Sequence, residues 1–314
     1  MEAGGAVFGC EVLVAGAYFA DLVFHGLPHP PVPGGEVFAE GLALVPGGAY
    51  TLAMAVHRLG RSVVWGADFG TDVFSGQVLA AARAERLDEA GFRHHAFPVR
   101  SVTAALSGPC ERAMVSYQEP VPARALVPLV ECHRPCVLML PQLLGDEETV
   151  GACRAARGTG ALVAMDGHDT PATLADLRVR HILAEVDVFT PNAAEALRLT
   201  GAATVDGALA RLAALAPTVV VTRGAGGSVA VHGGGRYEVA ALAVRAVDAT
   251  AAGDCFNAGL VHGLLAGWDM PACLAAAAAC AAAATTGPGS ARTLHAKDLP
   301  RWLEGACPAH PTVT

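Results

Sequence analysis

An α/β sandwich with a mostly parallel central sheet and a small β-rich cover is the fold class this sequence predicts. Three observations carry the expectation. From about residue 137 onward, short apolar strand-like runs alternate with helix-like stretches, the order of a parallel sheet covered on both faces. Nearer the N-terminus, two β-rich pieces broken by Pro and Gly do not fit that alternation, and would sit together as the cover. Hydrophobic residues make up 53% of the 314 and charged residues only 16%. That is enough apolar material for one large domain and too little charge for a disordered chain.

Residues 12–15 are a short apolar run before Gly16 and read as a buried strand. Residues 22–45 alternate short apolar pairs with turns, as small edge strands do. Residues 51–59 read as a helix closed by Gly60, 62–65 as a strand and 78–86 as an alanine-rich helix. Hairpin-like patterning returns over 97–117. Strands then follow at 137–140, 161–165 and 218–222, with 182–189 running toward another. Helices follow at 147–157, 193–199, 252–266 and 273–284. No repeat and no low-complexity linker breaks this order.

The formal net charge is -8, and no basic stripe of the kind that tracks nucleic acid is present. Nine cysteines without a repeating spacing read as reduced, mostly buried thiols. Cys132-His133-x-x-Cys136 is half a zinc motif with no second pair nearby. The N-terminus lacks the charged and apolar regions of a signal peptide, and the alanine-rich run 272–284 is too short to cross a bilayer. The expectation is a cytoplasmic protein that acts on a small molecule, with no nucleic-acid or membrane partner.

Three motifs carry chemistry. Asp248-x-Thr250-x-x-Gly253-Asp254 precedes an apolar helix. A helix start presents unpaired N–H groups and partial positive charge, and the small residues Ala251, Ala252 and Gly253 let an anion approach them. A carboxylate there would repel a bound phosphate, so its use is to take a proton from an attacking hydroxyl. The plainer reading makes Asp254 an ordinary helix-start residue favoured by the dipole. Thr190-Pro191-Asn192-x-x-Glu195 follows a strand and opens a helix. It can be a simple cap, or it can set Asn192 and Glu195 beside a hydrated Mg2+ and its phosphates. Thr222-x-Gly224-x-x-Gly227 joins strand to strand. A dinucleotide fingerprint needs a helix after the glycines, so this one is a turn or a backbone surface for nucleotide. Asp21 and Pro46-Gly47-Gly48 are each a turn alone, and together could line a sugar site.

In this order, with Gly70-x-Asp72-x-Phe74 and Glu111-Arg112 between them, these motifs resemble those of the ribokinase-like (PfkB) carbohydrate kinases from about Val12 to Leu299. The resemblance implies one Rossmann-like three-layer α/β/α domain over 1–314, with a β-sheet lid from about 18–45 and 97–120. It implies Asp254 as catalytic base and the Ala251, Ala252 and Gly253 backbone as an anion hole, the N–H groups of Ala252 and Gly253 above all. Asn192, Thr222, Gly224 and Gly227 would lie at ATP, with Glu195 in the Mg2+ network. Asp21, Gly47, Gly48 and Thr51 would face the acceptor. Many members also hold a monovalent cation, such as K+, from the segment before Asp248 and the region near 284–290. A homodimer through the lid strands would cover their edges.

The chain departs from the family at three places. Thr51 stands where an Asn often contacts the sugar, Ala251 where Gly is usual, and Leu144 about where ribokinases carry a sugar-binding Glu. Phosphotransfer remains the expectation and ribose is weakened as the acceptor. A ketohexose, a 2-keto-3-deoxy sugar acid and a nucleoside stay open, with Arg100 or Arg112 to meet an acid and Tyr18, Phe19 or Phe38 to stack on a purine. A ligand-binding or regulatory protein on the same fold is the alternative from another class.

Overall fold

The structure is a computed structural model that describes residues 9–107, 112–168 and 170–305. Its elements run β1 (Cys10–Ala15), β2 (Tyr18–His25), β3 (Gly41–Gly48), α1 (Ala49–Arg58), β4 (Val63–Phe69), α2 (Val73–Ala84), β5 (Phe92–His94), β6 (Ser101–Ser107), β7 (Arg112–Gln118) and α3 (Leu126–His133). Regular alternation follows: β8 (Pro135–Leu140), α4 (Glu147–Gly158), β9 (Leu162–Asp166), α5 (Leu177–Leu183), β10 (Val188–Thr190), α6 (Ala193–Thr200), α7 (Val205–Ala213) and β11 (Thr218–Thr222). The hairpin β12 (Ser228–His232) and β13 (Gly235–Val239) precedes α8 (Ala252–Leu265), α9 (Met270–Thr285) and α10 (Leu299–Gly305).

The large sheet has the order β13-β12-β11-β10-β9-β8-β1-β4-β5. It is parallel from β11 to β5, with the β12–β13 hairpin antiparallel at one edge. Side chains alternate along each strand, so the inner strands of the large sheet feed two cores. Val12, Val14, Val137 and Met139 pack with α1, α8 and α9. Leu13, Leu138, Leu140 and Phe189 pack with α4 to α7. The result is a three-layer α/β/α sandwich. Helix α9 is apolar on all sides and buried between its neighbours. A β-carbon on Gly259 would lie 2.8 Å from Ala276 O, and one on Gly263 would lie 2.9 Å from Cys273 Cα. The alanines are therefore what let α8 and α9 pack backbone to backbone. Among the described residues no helix is long and apolar enough to cross a membrane.

The small sheet has the order β3-β2-β6-β7. It is two hairpins, β2–β3 and β6–β7, joined by a parallel pairing of β2 with β6. Strand β3 runs on to Gly48, so Pro46-Gly47-Gly48 is a paired strand end that breaks into α1. Several boundaries differ from expectation. Helix α2 starts at Val73, five residues early, because the Asp72 carboxylate caps it by accepting from the Phe74 and Ser75 N–H groups, each at 3.0 Å. Residues 182–183 end helix α5, and the strand after it is only Val188–Thr190. Helices α3 and α7 had no sequence expectation. Glu111 and the Arg112 side chain lie outside the described residues.

Candidate active site

The parallel strands all end along one edge of the large sheet, where a ligand can sit outside their carboxyl ends. Helix α8 starts there without a side-chain cap. The Ala252 N–H donates to Ala249 O at 3.2 Å and the Cys255 N–H to Ala251 O at 3.0 Å. Among the described residues the N–H groups of Gly253 and Asp254 make no such bond. The open donors are therefore Gly253 and Asp254, and the Ala252 N–H expected in the anion hole is already engaged. Nothing lies within 4 Å of the place a Gly253 β-carbon would take. Ala251 has φ -89° and ψ 1°, a conformation open to alanine, so its methyl costs the turn nothing.

Asp254 stands in the first turn of α8. Burial pushes its carboxyl well above the usual carboxylate range, and the carboxylates of Asp166 and Asp21 push it the same way. Asp21 comes from the small sheet, where it is buried opposite Val45 and Thr103. At the β3–α1 corner, Gly48 adopts φ +62°, and a β-carbon there would lie 2.8 Å from Ala17 O. Only glycine fits such a corner without strain. Thr51, expected beside the acceptor, is buried in the first turn of α1.

Asp166 was not singled out by any motif. It ends β9, one residue past the predicted strand, and a carboxylate at a strand's carboxyl end followed by Gly167 was the available signal. Its Oδ1 accepts from the Gly167 N–H at 2.6 Å and its Oδ2 from Asn257 Nδ2 at 2.8 Å. Burial, and then the charge of Glu195, raise its carboxyl to about 7, against the hydrogen bonds from Gly167, Asn257 and His168. Glu195 is near enough that a β-carbon on Gly167 would lie 2.7 Å from its Oε2. Asn192 and Glu195 also form a complete capping box on α6. Asn192 Oδ1 accepts from the Glu195 N–H and Glu195 Oε2 from the Asn192 N–H, each at 2.9 Å. Capping thus fixes the very carboxylate that faces Asp166.

Thr222 lies beside Asn192 across a parallel bridge, with its N–H on Pro191 O at 3.1 Å. Gly224–Gly226 then make a short 3-10 turn, closed by the Arg223 N–H on Gly227 O at 2.8 Å. Gly227 has φ +77°, and its hydrogen faces Val239 O, where a β-carbon would stand at 2.1 Å. The glycines pass from β11 into β12, so a dinucleotide fingerprint is excluded here. On the other flank, Asp248 Oδ1 accepts from the Thr250 N–H at 2.9 Å, and Asp248 Oδ2 from the Gly289 N–H at 2.8 Å. The Val247 N–H donates to Thr285 O at 2.7 Å. The segment before α8 is in this way tied to the end of α9.

The remaining candidates lie elsewhere. Tyr18 is buried and stacked on Phe69 at 5.4 Å, so it is not a free platform for a purine. Arg100 pairs with Glu119 at 2.7 Å on the surface. Leu144 lines a separate cavity of about 770 Å3 between α4 and α5, together with Arg154 and Arg178. Among the described residues no three His, Cys, Asp or Glu form a metal cage, Cys132-His133-x-x-Cys136 included.

Residues 138–297, half of the chain, match the model of the pfkB family of carbohydrate kinases. Over 90 residues the chain is 39% identical to the ribokinase of Haemophilus influenzae, a stretch that spans 27% of this chain and only 29% of that enzyme. Arabidopsis thaliana ribokinase, solved with ribose and ATP, superposes with a TM-score of 0.78 at 19% identity, covering 94% of this chain and 99% of that one. An E. coli protein assigned as ribokinase II, solved with ATP and Mg2+, gives 0.78 at 19% identity, with coverage of 94% and 99%. Methanocaldococcus jannaschii nucleoside kinase gives 0.77 at 16% identity, with coverage of 95% and 99%. At these identities the superpositions establish the fold. On the family match, this chain belongs to the pfkB family of carbohydrate kinases.

Proposed function

We propose that the chain transfers the γ-phosphoryl group of ATP to a hydroxyl of a sugar or sugar-like small molecule, with Asp254 as general base. The observation that carries this reading is the convergence of Asp254, Asp21 and Asp166 at an uncapped helix start. Asp21 and the Gly47–Gly48 corner hold the acceptor so that its hydroxyl meets Asp254. The hydroxyl oxygen forms a bond to the γ-phosphorus, the bond from that phosphorus to the ADP oxygen breaks, and the hydroxyl proton passes to Asp254. The Gly253 and Asp254 N–H groups face the charge that develops on the transferring group.

Mg2+ prefers one or two carboxylates with waters and substrate phosphates to a full protein cage. Asp166 and Glu195 fit that description, since each alone is a buried or capped carboxylate and together they repel. They would hold the ion, which would neutralise phosphate charge. Thr222, Asn192 and the Gly224–Gly227 turn would receive the nucleotide, and the Asp248–Thr285 junction is where K+ would sit.

The small sheet acts as the lid. Its face with Asp21 turns to the cleft. On its other face the register aligns Leu22 with Leu44 and Ala104, and Phe24 with Leu42. Val115 and Tyr117 continue that face on β7. Leu42 is 59% and Val115 68% exposed. A continuous apolar face of this kind wants cover, and a second copy of the chain supplies it through the same face. The function is tested by ADP release from Mg-ATP with a panel of acceptors, nucleosides included, in the wild type and in Asp254→Asn.

A further inference from the structure

Asn257 is 3% exposed on α8, three residues after Asp254 and on the same side of the helix. A buried amide is kept only where it is hydrogen-bonded. Its Nδ2 donates to Asp166 Oδ2 at 2.8 Å, while Asp166 Oδ1 is held by the Gly167 N–H at 2.6 Å. One carboxylate oxygen is therefore fixed to its own strand end and the other to the helix that carries Asp254. The same carboxylate faces Glu195 across Gly167. We infer that Asn257 is a positioning residue: it holds Asp166 in the one orientation in which Asp166 and Glu195 together take a divalent cation, and so ties that cation's place to the helix of the base. This rests on the metal role proposed above for Asp166 and Glu195. An oriented ligand loses less entropy on binding, and partners of ligating carboxylates typically contribute roughly 10–100-fold in metal affinity.

The test is Mn2+ binding to the full chain at saturating ADP, read by electron paramagnetic resonance of the unbound ion, so that no turnover is needed. Wild type, Asp166→Asn, Glu195→Gln, Asn257→Leu, Asn257→Asp, Asn257→Ser and the double variant Asp166→Asn/Asn257→Leu are compared, with the metal-free unfolding temperature of each. Asp166→Asn and Glu195→Gln should both weaken Mn2+; if neither does, the metal role itself is wrong and the inference falls with it. With that role standing, the three Asn257 variants should weaken Mn2+ by about tenfold. Asn257→Leu should add nothing in the Asp166→Asn background, because its effect runs through Asp166. A purely structural amide would lower the unfolding temperature yet weaken Mn2+ equally in both backgrounds. That result, or wild-type Mn2+ affinity in a folded Asn257→Asp or Asn257→Ser chain, would overturn the inference.

Discussion

A β-carbon on Gly47 would stand 2.1 Å from Asp21 Oδ2. The glycine and the carboxylate thus share one small volume at the end of the β2–β3 hairpin, and the absence of a side chain at 47 is what lets Asp21 lie there. Gly47→Ala should push Asp21 aside. The expected outcome is a rise of roughly tenfold or more in the acceptor KM, the loss of about one charged hydrogen bond, with the ATP KM nearly unchanged. Steady-state kinetics with each substrate varied in turn checks it.

Ala251 stands where the family usually has Gly, and a methyl disfavours positive φ. At φ -89° the residue carries no such strain. Ala251→Gly should therefore leave kcat within about twofold of wild type, and restoring the family's usual glycine should gain nothing. A large gain in kcat would show that the turn differs from this geometry.

Asp254 should weaken the fold that it serves. Its folded carboxyl is raised, so between about pH 4 and that raised value the folded chain binds more protons than the unfolded one. Stability then falls as pH rises through this window. Asp254→Asn removes the ionisation. The variant should melt higher than wild type by a few degrees at pH 8 and by little or nothing at pH 4. Thermal unfolding of metal-free protein at both values measures the difference.

The apolar lid face gives a prediction about assembly. Val115→Glu places a charge on that face at its edge strand β7, on the side opposite Asp21. The chain should elute as a dimer in size-exclusion chromatography and the variant as a monomer. A wild-type monomer would remove the second copy from the account.

Much of this site was legible because it is local in sequence. The Gly253-Asp254 and Asn192-to-Glu195 spacings place donors and carboxylates on single helix starts, and no distant information is needed to see them. The strand–glycine–strand order at Gly224 was equally local. What stayed hidden is tertiary. Asp166 and Asn257 are 91 residues apart and acquire meaning only when β9 and α8 meet. The Ala252 N–H reads as an open donor until the Ala249 carbonyl turns back onto it. Tyr18 reads as a cleft residue because it neighbours Asp21 in sequence, yet the strand turns its side chain into the core. Pro46-Gly47-Gly48 looked like a turn, since glycine and proline disfavour strands, and cross-strand pairing overrode that preference.

The central claim is that Asp254 takes the acceptor's proton. ADP release from Mg-ATP, measured with sugars, sugar acids, sugar phosphates and nucleosides, with and without K+, tests it most directly when wild type and Asp254→Asn are run side by side. The account predicts turnover with at least one acceptor class and a loss of roughly 10²–10⁴-fold in the variant. Full turnover in Asp254→Asn would contradict it, as would a folded wild-type chain that binds ATP and phosphorylates none of the acceptors.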